Sequence, residues 1–247
     1  MRIIIQLLIN VVLGLFCYKK KLLSGRGCVS AICIGLVIIR YSLSAYILIV
    51  NFFCLTNLVE KVIKSGESAR TLSQVLCNSI PALIVLLGWL YLKDIKYLVI
   101  FASLIASSTA DSIASAIGNR YAKNVYSIIT WKKQEKGLSG GISFVGSLAG
   151  IMAAYYIAIL FGTLYGNNSF TIIIGTAGSF GMFIDSFLGD IFQTKYRCIV
   201  CNKIVDSKRH CGKITRKMKI PWAILSNNGV NICSNFLLLL VCLGFIE

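Results

Sequence analysis

The chain has 247 residues, of which 57% are hydrophobic and only 14% charged. A soluble domain carries about 25% charged residues. The deficit here, delivered as long apolar runs rather than periodic stripes, excludes a soluble enzyme, a disordered chain and a secreted disulfide scaffold. The 25 Lys and Arg against 9 Asp and Glu leave a formal charge of +16, which in so apolar a chain is read first as orientation in a bilayer and not as a nucleic-acid footprint.

Long apolar runs mark eight segments, at 1–18, 27–39, 42–59, 75–92, 97–117, 140–164, 170–188 and 229–246. A helical span needs about 20 mostly apolar residues, and these meet or approach that length. The expectation is an all-α fold: one integral membrane domain over 1–247, a helical bundle of about eight transmembrane helices. The second run is short and shares Arg40 and Tyr41 with the third. The first lacks the charged leader and small-residue cleavage site of a signal peptide, so it is read as a retained helix.

With eight spans, the segments 19–26, 60–74, 118–139 and 189–228 fall on one side of the membrane. They carry 4, 3, 5 and 9 Lys and Arg, which is 21 of the chain's 25. Such a bias predicts that these four loops are cytoplasmic (or the organellar equivalent) and that both termini lie on the far side. The implied location is multi-pass: the cell membrane of a prokaryote or an organellar membrane of a eukaryote. Leu23-Ser24-Gly25 and Leu138-Ser139-Gly140 each precede a glycine-containing helix, and Asn-bearing helices at Asn78 and Asn231 close the two halves. These matches suggest a parallel four-helix repeat, an arrangement that builds sites between bundles.

Only two acids fall inside apolar spans, Asp111 and Asp185, and intramembrane ionisable groups are costly enough to mark function. Around Asp111, Ala102, Ala106, Ala110, Ala114 and Gly118 form a small-residue stripe for close packing, and Ser103, Ser107 and Ser115 flank the acid on an adjacent polar stripe. Asp185 lies between Gly181 and Gly189. In the expected topology both helices run inward, which brings both acids near the cytoplasmic face. Two such carboxylates suit Mg²⁺ carrying a polyphosphate. A hydrogen-bonded helix seam at Asp111, and simple pairing of each acid with a nearby Lys or Arg, stand as the alternatives.

The third basic loop holds Asn119, Arg120, Lys123, Lys132, Lys133 and Lys136 and ends in Gly137-Leu138-Ser139-Gly140-Gly141. A glycine turn entering a helix offers backbone N–H groups to an anion, although no Walker-type glycine-lysine motif is present. Gly146 and Gly150 beyond it suit helix packing. In the fourth loop, 189–228, an insert at 198–211 contains Cys198-Ile-Val-Cys201 and then His210-Cys211. These residues suit a structural zinc site or, equally, free thiols, because His210 and Cys211 are adjacent where two residues usually intervene. At the mouth of the last span stand Asn227, Asn228 and Asn231, amides that need partners if buried. Helix capping accounts for one of the first two.

In order, Ser-Thr-Ala-Asp-Ser at 108–112, Thr-Trp-Lys-Lys at 130–133, Gly-Leu-Ser-Gly-Gly-Ile-Ser at 137–143, Asp-Ser-x-x-Gly at 185–189 and Asn-Asn-x-Val-Asn at 227–231 resemble the motifs of the transmembrane protein 19 family. Leu-Ser-x-x-Gly at 23–27 and Gln-Val-Leu-x-Asn at 74–78 extend the likeness over nearly the whole chain. The cysteine insert resembles a version found in prokaryotic members. Three departures stand out: Ala116 where many members carry Glu, Asp190 in place of a small residue, and Ser226 and Asn228 where Asp is common.

The family's plastid branch includes phytyl-phosphate kinase and is distantly similar to CTP-using polyprenol kinases. The resemblance therefore implies a nucleotide-dependent transferase that converts an isoprenyl or phytyl monophosphate to its diphosphate. It implies Mg²⁺ on Asp111 and Asp185. Phosphate would be held by Lys132, Lys133, Lys136, Gly137, Ser139, Gly140, Gly141, Asn227, Asn228 and Asn231. The partners would be a nucleoside triphosphate, an isoprenoid lipid phosphate and bulk lipid, with no nucleic acid. A transporter or lipid flippase is the competing class, and it would need polar groups traversing the bilayer.

Overall fold

The computed structural model describes residues 2–63 and 69–245. Met1, residues 64–68 of the second basic loop and the last two residues lie outside the described residues. Eight helices follow in order: α1 Arg2–Lys19, α2 Gly25–Tyr41, α3 Leu43–Val62, α4 Leu72–Leu92, α5 Ile95–Tyr121, α6 Phe144–Tyr165, α7 Thr171–Phe192 and α8 Asn227–Phe245. Each coincides with one of the apolar runs. Six, α3 to α8, are long and apolar enough to cross a membrane, while α1 is a shorter apolar helix over Ile4–Lys19. The protein is thus a polytopic helical membrane protein.

Polar residues between the runs set the helix boundaries. Ser42 separates α2 from α3: its N–H closes α2 on Ile38 O, and its hydroxyl accepts the Ala45 N–H that opens α3. That is why the short second run stays a separate helix. Thr71 and Gln74 form a reciprocal capping box on α4, Asp94 caps α5 and Ser143 caps α6, each satisfying a first-turn N–H that no intrahelical acceptor reaches.

Helix α5 is the axis of the bundle. It packs against α3, α4, α6, α7 and α8. Of its membrane-length window 78% is buried, against 22–39% for the other five spans. The small-residue stripe explains this, because Ala102, Ala106 and Ala110 are fully buried and let neighbouring backbones approach. Gly146 and Gly150 of α6 lie so close to α5 that a Cβ on either would stand 2.8–2.9 Å from Ala114 O or Ala110 O. Helix α1, the counterpart of α5 in a two-half arrangement, instead lies at the edge against α2. Its Ile4, Leu8 and Val12 are exposed, as a lipid-facing surface requires.

All four basic loops meet at one end of the bundle. A backbone bridge pairs Leu23 of the first loop with Arg70 of the second. Arg70, Asn119, Gly137 and Asp206, from the second, third and fourth loops, line one cavity. At the opposite end the Ser42 hydroxyl meets the Tyr165 hydroxyl at 3.1 Å. The loops hold the chain's only β-pairing among the described residues, so the bundle is all-α apart from two-residue strands. β1 (Tyr126–Ser127) pairs antiparallel with β2 (Gly141–Ile142). In the fourth loop β3 (Tyr196–Arg197) lies between β4 (Ile204–Val205) and β7 (Arg216–Lys217), and β5 (Arg209–His210) pairs with β6 (Lys213–Ile214).

Candidate functional site

The cavity at the loop end has a volume of about 270 Å³ and is lined by α3 to α8 together with the second, third and fourth loops. Both acids identified in the spans reach it. Ala106 and Ser107 of α5 face Gly178 and Gly181 of α7 in contact so close that a Cβ on either glycine would collide. The paired order shows that the two helices run in the same direction. Asp111 and Asp185 each stand one helical turn beyond the Ser107–Gly181 contact, and both line the same cavity.

Asp185 is held from α8. The Ser234 hydroxyl donates to its Oδ2 at 2.7 Å. With the Asn231 amide turned to donate, its NH₂ reaches Asn227 O at 2.9 Å and Asp185 Oδ2 at 3.3 Å. Asn227 and Asn231 line the cavity, and Asn228 does not.

Gly137, Ser139, Gly140 and Gly141 also line it. Gly137 and Gly140 have φ of +82° and +79°, the left-handed conformation that glycine adopts without steric cost. Gly140 packs directly on Asp190, which accepts from the Ser127 hydroxyl and pairs with Lys195 Nζ at 3.0 Å. That fixes the role of the acid standing where the family resemblance has a small residue. The turn already holds an anion of its own chain: the Ser139 N–H donates to Asp206 Oδ2 at 2.7 Å. Gln193 Nε2 donates to the same oxygen at 2.9 Å. Asp206 lines the cavity, and its buried Oδ1 has no hydrogen-bond partner among the described residues. Burial raises its carboxyl above the usual carboxylate range, against the lowering effects of the Ser139 N–H and Lys195.

Lys132, Lys133 and Lys136 do not join this site. All three are exposed and none is among the residues that line the cavity. Like Asp206, Arg70 and Glu60 were not singled out by the sequence and yet line the cavity. They form a 2.7 Å ion pair with side chains only 13% and 14% exposed. Nothing in the sequence marks Arg70 except its place just before the α4 capping box.

The cysteine insert closes into a clasp. Cys198, Cys201, His210 and Cys211 bring one ligand atom each within 4.8 Å of one another. His210 Nδ1 lies 3.5 Å from Cys201 Sγ and 3.2 Å from Cys211 Sγ. The adjacency of His210 and Cys211 is accommodated by the hairpin between β5 and β6. Cys211 and Gly212 take φ of +51° and +74°, a tight reversal that aims both side chains at one point. The backbone N–H groups of Cys201 and Val200 pull the Cys198 thiol down to about 6 against the effect of burial. Cys211 is pushed up to about 11, chiefly by its hydrogen bond with Cys201. Tetrahedral zinc with Zn–S of about 2.3 Å and Zn–N of about 2.0 Å needs this kind of donor set and spacing.

Several proteins are similar to this chain. An uncharacterized membrane protein of Methanocaldococcus jannaschii is 32% identical over 205 residues, covering 78% of this chain and 84% of that one. Protein PGR of Arabidopsis thaliana is 27% identical over 270 residues, covering 94% and 92%. The chloroplastic Protein VTE6 of the same plant is 34% identical over 58 residues, covering 24% of this chain and 17% of that protein. No solved structure matches. Residues 8–239 match the family described as integral membrane protein DUF92, and the chain belongs to that family.

Proposed function

We propose that this protein is an integral-membrane phosphotransferase that moves the γ-phosphoryl group of a nucleoside triphosphate onto an isoprenoid monophosphate. The Pγ–O bond to the nucleoside diphosphate breaks, and a new P–O–P bond forms on the terminal oxygen of the lipid phosphate. The products are the lipid diphosphate and a nucleoside diphosphate. One observation carries this reading: Asp111 and Asp185, from two parallel helices, open on a single polar cavity at the end of the bundle where the basic loops gather. The short similarity to VTE6 and the resemblance to a family with a phytyl-phosphate kinase branch support the substrate class.

Asp111 and Asp185 would hold Mg²⁺, and the unpartnered Asp206 Oδ1 fits the same demand for hard oxygen donors. When bound, Mg²⁺ supplies neutralisation of the phosphate charge. Phosphoryl transfer needs little covalent help beyond that and positioning. The protein's own part is to fix these groups. Ser234 and Asn231 orient Asp185, and Asp206 holds the glycine turn at Ser139. The Cys198, Cys201, His210 and Cys211 clasp would bind structural zinc and, through Asp206 between its two halves, hold that turn in place. The basic face would be cytoplasmic. Charged groups that gather around the cavity at one end of the bundle favour an enzyme over a flippase.

The test is a radiolabelled transfer assay on the purified full chain with phytyl and geranylgeranyl monophosphate, Mg²⁺ and γ-labelled CTP or ATP. Labelled lipid diphosphate is the expected product. Absence of label in lipid with either nucleotide and both lipids refutes the proposal.

A further inference from the structure

A second cavity, about 100 Å³, lies among α1, α2, α3 and α4. Its walls are mainly apolar, with Leu13, Ile32, Ile49, Val50, Phe53 and Val75, and among them lie Asn10 and Tyr46, whose hydroxyl donates to Asn10 Oδ1. This second cavity adjoins the polar cavity: Arg70, Gln74 and Asn78 line both. Among the described residues Arg70 is the only cation at that seam, and it is tightly placed. Arg70 exchanges backbone hydrogen bonds with the first loop, its N–H to Leu22 O and its carbonyl from Ser24 N–H, each at 3.0 Å. Its guanidinium sits 5.9 Å over the Phe52 ring and spends one terminal nitrogen on Glu60. The buried Nε has no hydrogen-bond partner among the described residues. An orphaned donor on a buried guanidinium is costly, and the fork geometry of arginine matches phosphate oxygens.

From this junction we infer that the α1–α4 groove receives the head-proximal carbons of one apolar chain whose terminal phosphate is held by Arg70, so the acceptor is a single-chain lipid monophosphate. The assignment rests on the phosphotransfer reading for its chemistry and adds the position of the acceptor and the residue that anchors it. Size restricts the occupant. The groove is smaller than the roughly 150 Å³ cavity known to accept benzene, so it takes the first few carbons of one chain. The remainder continues past α1 and α2, whose Val12 and Val29 are exposed toward lipid. A diacyl lipid would bring a second chain to the same point, where the groove has no room for it. Arg70 lines the same cavity as Asp111 and Asp185, as transfer to the terminal oxygen of a phosphate held there requires.

Binding is tested on the purified full chain in phosphatidylcholine nanodiscs by native mass spectrometry, with geranylgeranyl monophosphate, geranylgeraniol and dioleoyl phosphatidic acid as competing ligands. The wild type should prefer the monophosphate by about tenfold or more over both others, and Val50→Phe and Ala31→Phe, which fill the groove, should weaken its binding about tenfold. Arg70→Gln should erase the preference for monophosphate over the alcohol, and Arg70→Lys should restore part of it. Because Arg70→Gln removes one ion-pair partner of Glu60, the Glu60→Gln/Arg70→Gln double variant is measured beside it and should behave alike. Equal binding of phosphatidic acid, or groove-filled variants that bind as the wild type does, overturns the assignment. Selective binding without phosphoryl transfer supports the groove and sinks the transferase reading. Transfer that persists in Val50→Phe and Arg70→Gln with unaltered lipid KM sinks the groove and leaves the transferase reading standing.

Discussion

Asp206 ties the cysteine clasp to the glycine turn, and removing it should loosen that turn before it affects the rest of the molecule. Its Oδ2 accepts two hydrogen bonds, from the Ser139 N–H at 2.7 Å and Gln193 Nε2 at 2.9 Å. Asp206→Ala strands both donors, and Gln193 is only 3% exposed, so water does not easily replace the carboxylate there. Each stranded donor costs about 1–3 kcal/mol, and a cost of that size on the Ser139 amide corresponds to exchange faster by about 5- to 150-fold. Asp206→Asn keeps an acceptor oxygen and loses the charge. It should therefore show a smaller increase, since charge-assisted bonds are roughly twice as strong as neutral ones. Hydrogen–deuterium exchange read at residues 137–141 distinguishes the two. Exchange in Asp206→Ala equal to that of the wild type would refute the coupling, as would an Asn variant looser than the Ala variant.

Chelating zinc from the purified protein, or replacing Cys201 or Cys211 by Ser, should raise exchange at 137–141 in the same way while the central α5 stays protected; elemental analysis showing no zinc in the wild type would end this line. In the zinc-free protein the Cys198 thiolate should form with a midpoint of about 6, read as the difference in ultraviolet thiolate absorbance between the chain and Cys198→Ala. Its pKa is depressed, so the associated stabilisation is present above the ordinary thiol range and is lost as pH falls through 6; a midpoint near the ordinary thiol value would contradict the clasp geometry. Gly150→Val should separate α5 from α6, since even a Cβ there stands 2.9 Å from Ala110 O. Overpacking of this kind costs about 1–3 kcal/mol, and unchanged thermal stability in detergent would show that the helices yield.

The eight helices were legible because apolar run length and the polar residues between runs are local properties. Ser42 needed no tertiary information to divide α2 from α3. Asp111 and Asp185 were legible for a related reason, since a carboxylate in an apolar helix is conspicuous wherever the helix sits. The loops were another matter. Lys132, Lys133 and Lys136 are a conspicuous charge run, yet they are exposed and it is the glycine turn after them that lines the cavity. Arg70 and Asp206 looked ordinary in sequence and became site residues only when four distant loops met. Asp206 gains its place from the insert around it: Asn202 and Cys211 both adopt positive φ, and the resulting hairpins deliver Asp206 to Ser139, 67 residues earlier in the chain. Cys198, Cys201, His210 and Cys211 were legible as a possible zinc set, and the Cys211-Gly212 reversal shows how the adjacent His210 and Cys211 both reach it.

Asp111 and Asp185 bear the central claim, and transfer of labelled γ-phosphate to geranylgeranyl monophosphate by their Asn variants tests it most directly. Amide replaces carboxylate at nearly constant size, so both variants should fold, elute as the wild type does and still bind the lipid monophosphate. Each should lose turnover by about 100-fold or more, and the double variant should be scarcely worse than either single one, because groups acting as one unit are non-additive. Near-normal transfer in either single variant, or losses that multiply in the double, would contradict a shared phosphoryl-transfer centre at this cavity.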